Sequence, residues 1–277
     1  MIYAKNLSIS YDKKNVVSNF TMNINEGEIV SIIGPNGSGK STVLKVISRL
    51  MKSSNGAAFL DGSDVHSLPT KEVAKKLAIL CQHNHSPSDC TVRDLISYGR
   101  VPHKQWYEFN NYDDNSIVDW AIEVTGLNEF EHRYVTTLSG GERQRAWVAM
   151  ALAQKTKVLI LDEPTTYLDV SHQLEVMELL KKINEEYKIT IIMVLHDLNQ
   201  ASKYSDRMYV INKGKLVMEG RPSEVITKKM LRDVYKIDAH ISVEQVSGKP
   251  LFYPLGLIKN NDRIEKSNKI VKIREAQ

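Results

Sequence analysis

Cysteine is scarce in this sequence. Of its 277 residues only Cys81 and Cys90 are cysteines, nine positions apart. Without a second pair, the chain offers neither a disulfide framework nor a cysteine-based metal site. Such scarcity is typical of proteins in a reducing compartment, so we expect a cytoplasmic location.

Long apolar runs and a secretion signal are also lacking. The longest apolar run, 189–195, is interrupted by Thr190 and is far shorter than the roughly 20 residues of a membrane-spanning helix. The N-terminus shows no basic segment followed by an apolar one. We therefore expect any role at a membrane to depend on a partner protein.

A strong excess of one charge is absent as well. The formal net charge is +4, and residues 259–277 hold six Lys or Arg against three Asp or Glu, which leaves about +1 for the rest. The basic surface of a nucleic-acid-binding protein is therefore not expected. With 42% apolar residues, the chain can form one large domain, predicted over 1–258 and followed by a basic tail at 259–277.

The stretch GPNGSGKST at 34–42 matches the phosphate-loop pattern G-x-x-x-x-G-K-[ST]. Lys40 can reach the β- and γ-phosphate oxygens, and Ser41 can offer a hydroxyl to Mg²⁺. The segment 28–33 is typical of a buried strand and 41–50 of a helix, so phosphates would lie at a helix N-terminus. A glycine-rich turn that binds nothing would not need Lys40. The predicted nucleotide contacts here are Gly34, Pro35, Asn36, Gly37, Ser38, Gly39, Lys40, Ser41 and Thr42.

A second glycine-rich stretch, LSGGE at 138–142, precedes a helical pattern at 143–153. Backbone amides at a helix start attract anions, so Ser139, Gly140, Gly141 and Glu142 form a candidate phosphate contact. The alternative is a capping box, in which Ser139 caps the helix and Glu142 lies three residues on. Both interpretations can hold together.

Carboxylates and a histidine follow two buried strand patterns. Asp162 and Glu163 follow directly after 158–161, and His196 follows directly after 190–195. Carboxyl ends of parallel strands are where such sheets bind ligands. Asp162 suits a Mg²⁺ shell, and Glu163 suits the polarisation of a water. His196 could reach the γ-phosphate, but taken alone it is better explained as a hydrogen-bonded core histidine.

Other patterns predict the organisation of the chain. Residues 1–33 alternate as β-structure does, 83–137 contain helical patterns, and 207–219 is typical of a hairpin. After 219 we expect short helices and then the tail. We predict an α/β fold with a P-loop nucleotide-binding core and a mixed sheet, an N-terminal antiparallel β subdomain, and a helical subdomain inserted at about 83–137.

In this order, GPNGSGKST, LSGGE, LILDEP at 159–164 and His196 resemble the motifs of the ATP-binding subunits of ABC transporters. The resemblance covers the chain to about residue 258 and implies ATP and Mg²⁺ as cofactors. It also implies an ATP-dependent two-fold dimer, in which each copy applies 139–141 to the other copy's ATP.

The resemblance implies roles for individual residues. By itself, Tyr11 is as well explained by ordinary packing, and Gln82 by a polar surface. The implied catalytic residues are Lys40, Gln82, Glu163 and His196. Tyr11 would stack on adenine, with Val16 also at the nucleotide, and His196 would contact the γ-phosphate. Gln82 would sense Mg²⁺ and water, and Asp162 would bind Mg²⁺ through water. Across the dimer, Asp169 would contact the partner, and the γ-phosphate of the partner's ATP would be contacted by Ser139, Gly140 and Gly141.

A narrower likeness lies at 91–103, 143–154 and 162–173, which are similar to the ATPases of ferric-siderophore, haem and vitamin B12 importers, above all the ferric-hydroxamate branch. It implies a peripheral subunit at the cytoplasmic face of the membrane that drives uptake through a permease, indirectly served by an extracytoplasmic substrate-binding protein. The insertion would receive a permease helix, with Arg93 and Arg100 as contacts if exposed. Two departures are Glu142 for the more usual Gln, and Tyr167 where many relatives have Ala.

Three alternatives stay open: a haem or cobalamin importer ATPase, a soluble ABC-type ATPase that acts outside transport, and a nucleotide-binding scaffold. The soluble enzymes usually carry a coiled-coil insertion or two nucleotide domains, whereas this sequence shows no heptads and one phosphate loop. A scaffold would have lost the catalytic base, and Glu163 is present.

Overall fold

The computed structural model describes residues 1–11, 14–104 and 112–258, so the predicted tail at 259–277 lies outside the described residues. The helices are α1 (Lys40–Ile47), α2 (Thr70–Ala74), α3 (Val92–Tyr98), α4 (Tyr112–Val124), α5 (Gly140–Ala153), α6 (Val170–Tyr187), α7 (Leu198–Tyr204), α8 (Pro222–Val225) and α9 (Lys228–Met230). Within the described residues, no helix has the length and apolar character needed to cross a bilayer.

The strands form three sheets. They are β1 (Ile2–Tyr11), β2 (Lys14–Ile24), β3 (Ile29–Ile33), β4 (Asn55–Leu60), β5 (Ser63–Asp64), β6 (Leu77–Leu80), β7 (Val158–Asp162), β8 (Thr190–Val194), β9 (Arg207–Asn212), β10 (Lys215–Gly220), β11 (Ile237–Val243) and β12 (Pro250–Leu257).

The central sheet has six strands in the order β10-β9-β3-β8-β7-β6. Neighbours from β9 to β6 are parallel, and β10 is antiparallel to β9, so the predicted mixed sheet is confirmed. Strands β3 and β8 are buried along their whole length, as expected of parallel strands covered on both faces. The carboxyl ends of β3, β6, β7 and β8 share one edge of this sheet.

The N-terminal strands form a separate antiparallel sheet in the order β2-β1-β4-β5, as predicted. In this sheet Ile2 lies opposite both Ile24 of β2 and Leu60 of β4. Helix α1 contacts β1, β2 and β4 on one side and β7 of the central sheet on the other. Because α1 is packed between two sheets, the loop that precedes it has a fixed position.

The predicted helical insertion forms α3 and α4, which pack on each other and on α5. Arg100, just after α3, is 6% exposed, and its Nε donates to Asp114 Oδ1 of α4 at 2.6 Å. The same guanidinium donates to the carbonyl of Ala153 at 2.8 Å, at the last turn of α5. Arg100 thus joins three helices. Arg100 does not meet the exposure condition attached to the predicted permease contact, because its charge is satisfied inside the protein.

A hairpin formed by β11 and β12 was missed by the sequence analysis, which expected short helices and a tail after 219. Ile237 pairs with Leu257, and Val243 pairs with Pro250. The two prolines of β12 made a strand hard to predict there, because proline is largely confined to edge strands. Helix α7 holds the hairpin through Asn199, whose side chain accepts from Phe252 N at 3.0 Å and donates to Phe252 O at 3.2 Å.

The buried ion pair predicts a large stability effect. Asp114→Ala leaves the Arg100 guanidinium buried without its carboxylate, so we expect the free energy of unfolding to fall by about 3–5 kcal/mol in urea titrations followed by circular dichroism. The control is Lys182→Ala, which breaks an exposed pair with Glu186 and should cost about 0–1 kcal/mol. Equal losses in the two variants would contradict this account.

Candidate nucleotide-binding site

The loop between β3 and α1 contains three glycines with positive φ, Gly34, Gly37 and Gly39, and close neighbours also confine the first and the last of them. Gly34 has φ 149° and Gly39 has φ 106°. A Cβ on Gly34 would lie 2.0 Å from the carbonyl oxygen of Ile211, and one on Gly39 would lie 2.8 Å from Cγ2 of Val17. Only glycine satisfies both the backbone conformation and the space. The loop is therefore pressed against β9 and β2, and it ends in the first turn of α1.

Lys40 begins α1 and turns back across this loop. Its Nζ donates to the carbonyls of Gly34 at 2.9 Å and Pro35 at 3.1 Å, which places the ammonium inside the loop. Burial lowers the pKa of Lys40, while the charges of Glu163 and Asp162 oppose that shift. The lysine is thus a cation held beside two carboxylates, where phosphate oxygens would gain most from it.

Ser41 connects α1 to the end of β7, because its Oγ donates to Asp162 Oδ1 at 2.9 Å. Burial raises the pKa of Asp162, the hydrogen bond from Ser41 opposes the shift, and the charge of Glu163 adds to it. A cation would relieve this cost. The Ser41 hydroxyl and the Asp162 carboxylate would supply only two protein ligands to such a cation. This number suits Mg²⁺, because that ion keeps several waters and takes phosphate oxygens as well.

Three side chains hold the Glu163 carboxylate. Gln82 Nε2 donates to Oε2 at 2.6 Å, Thr166 Oγ1 donates to Oε2 at 3.1 Å, and His196 Nε2 lies 2.5 Å from Oε1. The Glu163 side chain is 11% exposed, so the carboxylate is shielded and oriented. Its φ of 57° places Glu163 in a turn at the end of β7, and this turn redirects the side chain away from the alternation of the strand.

Most of these residues line one cavity of about 510 Å³, whereas Gly34, Pro35 and Asp162 lie outside its lining. It lies at the carboxyl ends of β3, β6, β7 and β8. The lining residues are Asn36, Gly37, Ser38, Gly39, Lys40, Ser41, Thr42, Gln82, Glu163, Thr166, Tyr167 and His196.

Sequence reasoning missed Thr166 as a candidate site residue and noted Tyr167 only as a departure from the family pattern. Both follow Glu163 in the connection between β7 and α6 and line the cavity. The available signal for Thr166 was a hydroxyl three residues after the predicted base, within reach in a tight turn. Tyr167 has φ 66° and is 85% exposed, so it stands at the cavity rim.

The LSGGE residues do not line this cavity. Ser139 caps α5, since its Oγ accepts from Glu142 N at 3.3 Å, while Glu142 Oε2 accepts from Ser139 N at 2.8 Å. This backbone hydrogen bond lowers the pKa of Glu142. The capping box that the sequence allowed is therefore present. It leaves Gly140 exposed at the start of the helix.

Tyr11, Val16 and Asp169 also lie outside the cavity lining. Tyr11 ends β1 with its ring 42% exposed, and the carbonyl oxygen of Val16 lies on the side of Gly39 where a Cβ would point. Asp169 caps α6 by accepting from His172 N at 2.9 Å, and this backbone hydrogen bond lowers the pKa of Asp169. One copy of the chain thus gathers the phosphate loop and its carboxylates, but not 139–142 or Asp169.

Comparisons with known proteins agree with this geometry. A family model described as ABC transporter matches residues 17–166. The petrobactin import ATP-binding protein of Bacillus anthracis is 49% identical over 259 residues, which cover 94% of each chain. The iron(3+)-hydroxamate import ATP-binding protein of Bacillus subtilis (strain 168) is 46% identical over 258 residues, covering 93% of this chain and 96% of that protein.

A solved structure extends the comparison to three dimensions. The dimeric structure of a bacterial ABC transporter cassette matches with a TM-score of 0.70 at 30% sequence identity. The match covers 80% of this chain and 98% of that cassette.

The raised pKa of Asp162 predicts a pH-dependent effect on stability. Because the pKa is higher in the folded chain than the ordinary 3.8, the ionised carboxylate opposes folding at neutral pH, and this cost disappears once the group is protonated in both states. Asp162→Asn should therefore raise the melting temperature of the nucleotide-free, Mg²⁺-free protein at neutral pH, and the gain should vanish as the pH approaches 3.8.

Glu142→Gln is the matched control with the opposite sign. The pKa of Glu142 is lowered by the Ser139 amide, so its charge stabilises the folded chain at neutral pH and the benefit is lost on acidification. Scanning calorimetry over a pH series would measure both. A gain for Asp162→Asn that does not change with pH would refute the burial of its charge as the cause.

Proposed function

This chain belongs to the ABC transporter family as an ATPase, and from that premise we propose that it drives the import of an iron–siderophore complex through a membrane permease. The observation that carries the ATP-hydrolysing part of the proposal is the cavity in which Lys40, Gln82, Glu163 and His196 converge. Those side chains supply a phosphate-binding cation, a polarised base and its two positioning partners, which is what ATP hydrolysis needs.

Glu163 is the proposed general base. A carboxylate offers about four acceptor positions, and the described donors Gln82, Thr166 and His196 occupy three of them. The remaining position can accept a hydrogen bond from the attacking water, whose proton would pass to Glu163. Gln82 and His196 orient the carboxylate, so a change in either hydrogen bond would change the rate.

Lys40 and Ser41 hold the phosphates and their metal. Lys40 would exchange its hydrogen bonds to the Gly34 and Pro35 carbonyls for phosphate oxygens. Ser41 and Asp162 would hold Mg²⁺, with Gln82 nearby, and the ion supplies neutralisation of the β- and γ-phosphate charge. The exposed ring of Tyr11 would stack on adenine beside Val16.

We also infer that the working unit is a head-to-tail pair of this chain. Ser139, Gly140, Gly141, Glu142 and Asp169 lie outside their own cavity, so their proposed nucleotide contact requires a second copy. A two-fold axis satisfies both copies at once, because the same surface serves each of them. The 30% identical cassette has a dimeric structure, which supports this arrangement.

The permease contact is proposed on the insertion beside a cavity of about 490 Å³. Tyr98 and Val101, at the end of α3, line it and are 50% and 60% exposed. Arg93 is a poor candidate for this permease contact, since its guanidinium already pairs with Asp119 and Glu131. An apolar contact centred on Tyr98 and Val101 therefore replaces the charged contact expected from the sequence.

The cargo follows from the relatives rather than from the site, since an ATPase does not touch what its permease carries. The petrobactin and iron(3+)-hydroxamate import proteins share nearly half of their aligned residues with this chain. Iron–siderophore import at the cytoplasmic face of the membrane, served by an extracytoplasmic substrate-binding protein, is therefore the proposed process.

The first functional prediction separates ATP binding from hydrolysis. Glu163→Gln keeps the shape of the base but removes most of its basicity, so turnover should fall by roughly 10²-fold or more. ATP binding should survive, and the variant should run as an ATP-dependent dimer in gel filtration. Adding Ser139→Arg should abolish the dimer by filling the γ-phosphate contact. Normal turnover by Glu163→Gln would exclude Glu163 as the base.

The second functional prediction concerns the cargo. A strain that lacks this chain should lose growth on ferric hydroxamate as the only iron source, and a wild-type copy should restore it. A Lys40→Ala copy should fail to restore growth although the protein accumulates normally. Normal growth of the deletion strain, with no second ATPase able to substitute, would contradict siderophore import. Loss confined to haem or cobalamin would identify the alternative cargo.

A further inference from the structure

His172, in the first turn of α6, lies between two segments that the proposed dimer presents to the second copy. Its Nδ1 is 2.8 Å from Asp169 Oδ1. The opposite edge of the ring faces α5, where a Cβ on Gly141 would lie 2.2 Å from His172 Cδ2 and 2.6 Å from Cγ. The imidazole therefore touches Asp169 with one edge and the backbone of the LSGGE helix with the other.

Gly141 has no backbone reason to be glycine. It lies inside α5 and its φ is not in the left-handed region, so alanine would suit the helix better. The space beside it is the constraint, because the His172 ring occupies the position of a side chain. Gly140 is less confined: a Cβ there would lie 3.3 Å from Leu168 Cδ2.

Hydrogen bonds fix the segment between Glu163 and Asp169. Gln173 Nε2 donates to the Leu168 carbonyl at 2.9 Å, and Gln200 Nε2 of α7 donates to Gln173 Oε1 at 2.6 Å. Thr166, two residues before Leu168, holds Glu163. The turn that orients the base is thus continuous with the turn that carries Asp169.

We propose that His172 is a positioning residue that makes Asp169 and the start of α5 move as one unit. The inference rests on the proposed function, in which both segments contact the second copy. If either segment shifts when the partner's nucleotide is bound or hydrolysed, the ring transmits the shift, since it has no free space against Gly141. A movement of α5 thereby reaches the turn that carries Glu163, and the two ATP sites of the dimer are coupled.

Two substitutions separate the halves of the contact. His172→Asn keeps a donor near the position of Nδ1 but removes the ring edge that touches Gly141. His172→Phe keeps the ring and removes the donor. Each should lower kcat and weaken the ATP-dependent dimer of the Glu163→Gln background, while the affinity of the monomer for Mg-ATP stays within about twofold, because His172 does not line the nucleotide cavity. Glu175→Gln, on the exposed side of α6, is the control expected to change neither.

A double-mutant cycle decides whether the contact itself matters. Gly141→Ala should reduce ATP turnover about tenfold or more in the presence of His172, because its Cβ displaces the ring. In a His172→Ala background the space is free, and the same Gly141→Ala change should cost at most about twofold further. The melting temperatures of the same four proteins separate a loss of turnover from a loss of folding, because a clash that only destabilised the fold would lower both together.

The outcomes are distinguishable from failure of the proposed function. If Gly141→Ala is equally damaging in both backgrounds, Gly141 is required for phosphate approach alone and the role of His172 is overturned. If His172→Asn and His172→Phe both behave as the Glu175→Gln control, the coupling is likewise refuted. If Glu163→Gln itself fails to form an ATP-dependent dimer, the head-to-tail arrangement fails before His172 is tested.

Discussion

Parallel pairing in the central sheet is the constraint on which the site depends. Leu80 pairs with Leu161, Leu161 with Met193, and Ile32 with Val194, so β6, β7, β8 and β3 end level with one another. Whatever residue follows each strand must emerge at the same edge. The lysine, amide, carboxylates and imidazole, far apart in the sequence, meet because these strands share register. The sheet decides which strand ends meet, and the side-chain hydrogen bonds of the site then orient Asp162 and Glu163.

Much of this was predictable because the patterns are strong and local. The apolar segments at 77–80 and 158–161 have the lengths of buried strands, and Asp162 and Glu163 follow directly. Helix α5 ends at Ala153, where its predicted helical pattern at 143–153 ends. The phosphate-loop pattern is recognisable in the sequence, and two of its glycines, Gly34 and Gly39, are required by close contacts with β9 and β2.

The rest depended on contacts that no local pattern records. In the sequence, nothing distinguishes Arg100 from an exposed arginine. Its burial depends on Asp114 and the Ala153 carbonyl, which the packing of three helices places beside it. Thr166 gains its role only from the left-handed turn at Glu163. The β11–β12 hairpin lacks a clear alternation and is held from outside by Asn199. In each case tertiary contacts, rather than sequence spacing, decide the role.

The burial of Asp162 beside Glu163 makes the stability of the folded chain depend on what it binds. Burial raises the pKa of Asp162 and the charge of Glu163 adds to this shift, so ionised Asp162 raises the free energy of the folded chain, and a cation bound beside it would lower that free energy. A ligand that binds only the folded state adds stability in proportion to the logarithm of its concentration. Bound nucleotide should therefore stabilise the folded ATPase, and the chain should resist proteolysis more with ATP than without it.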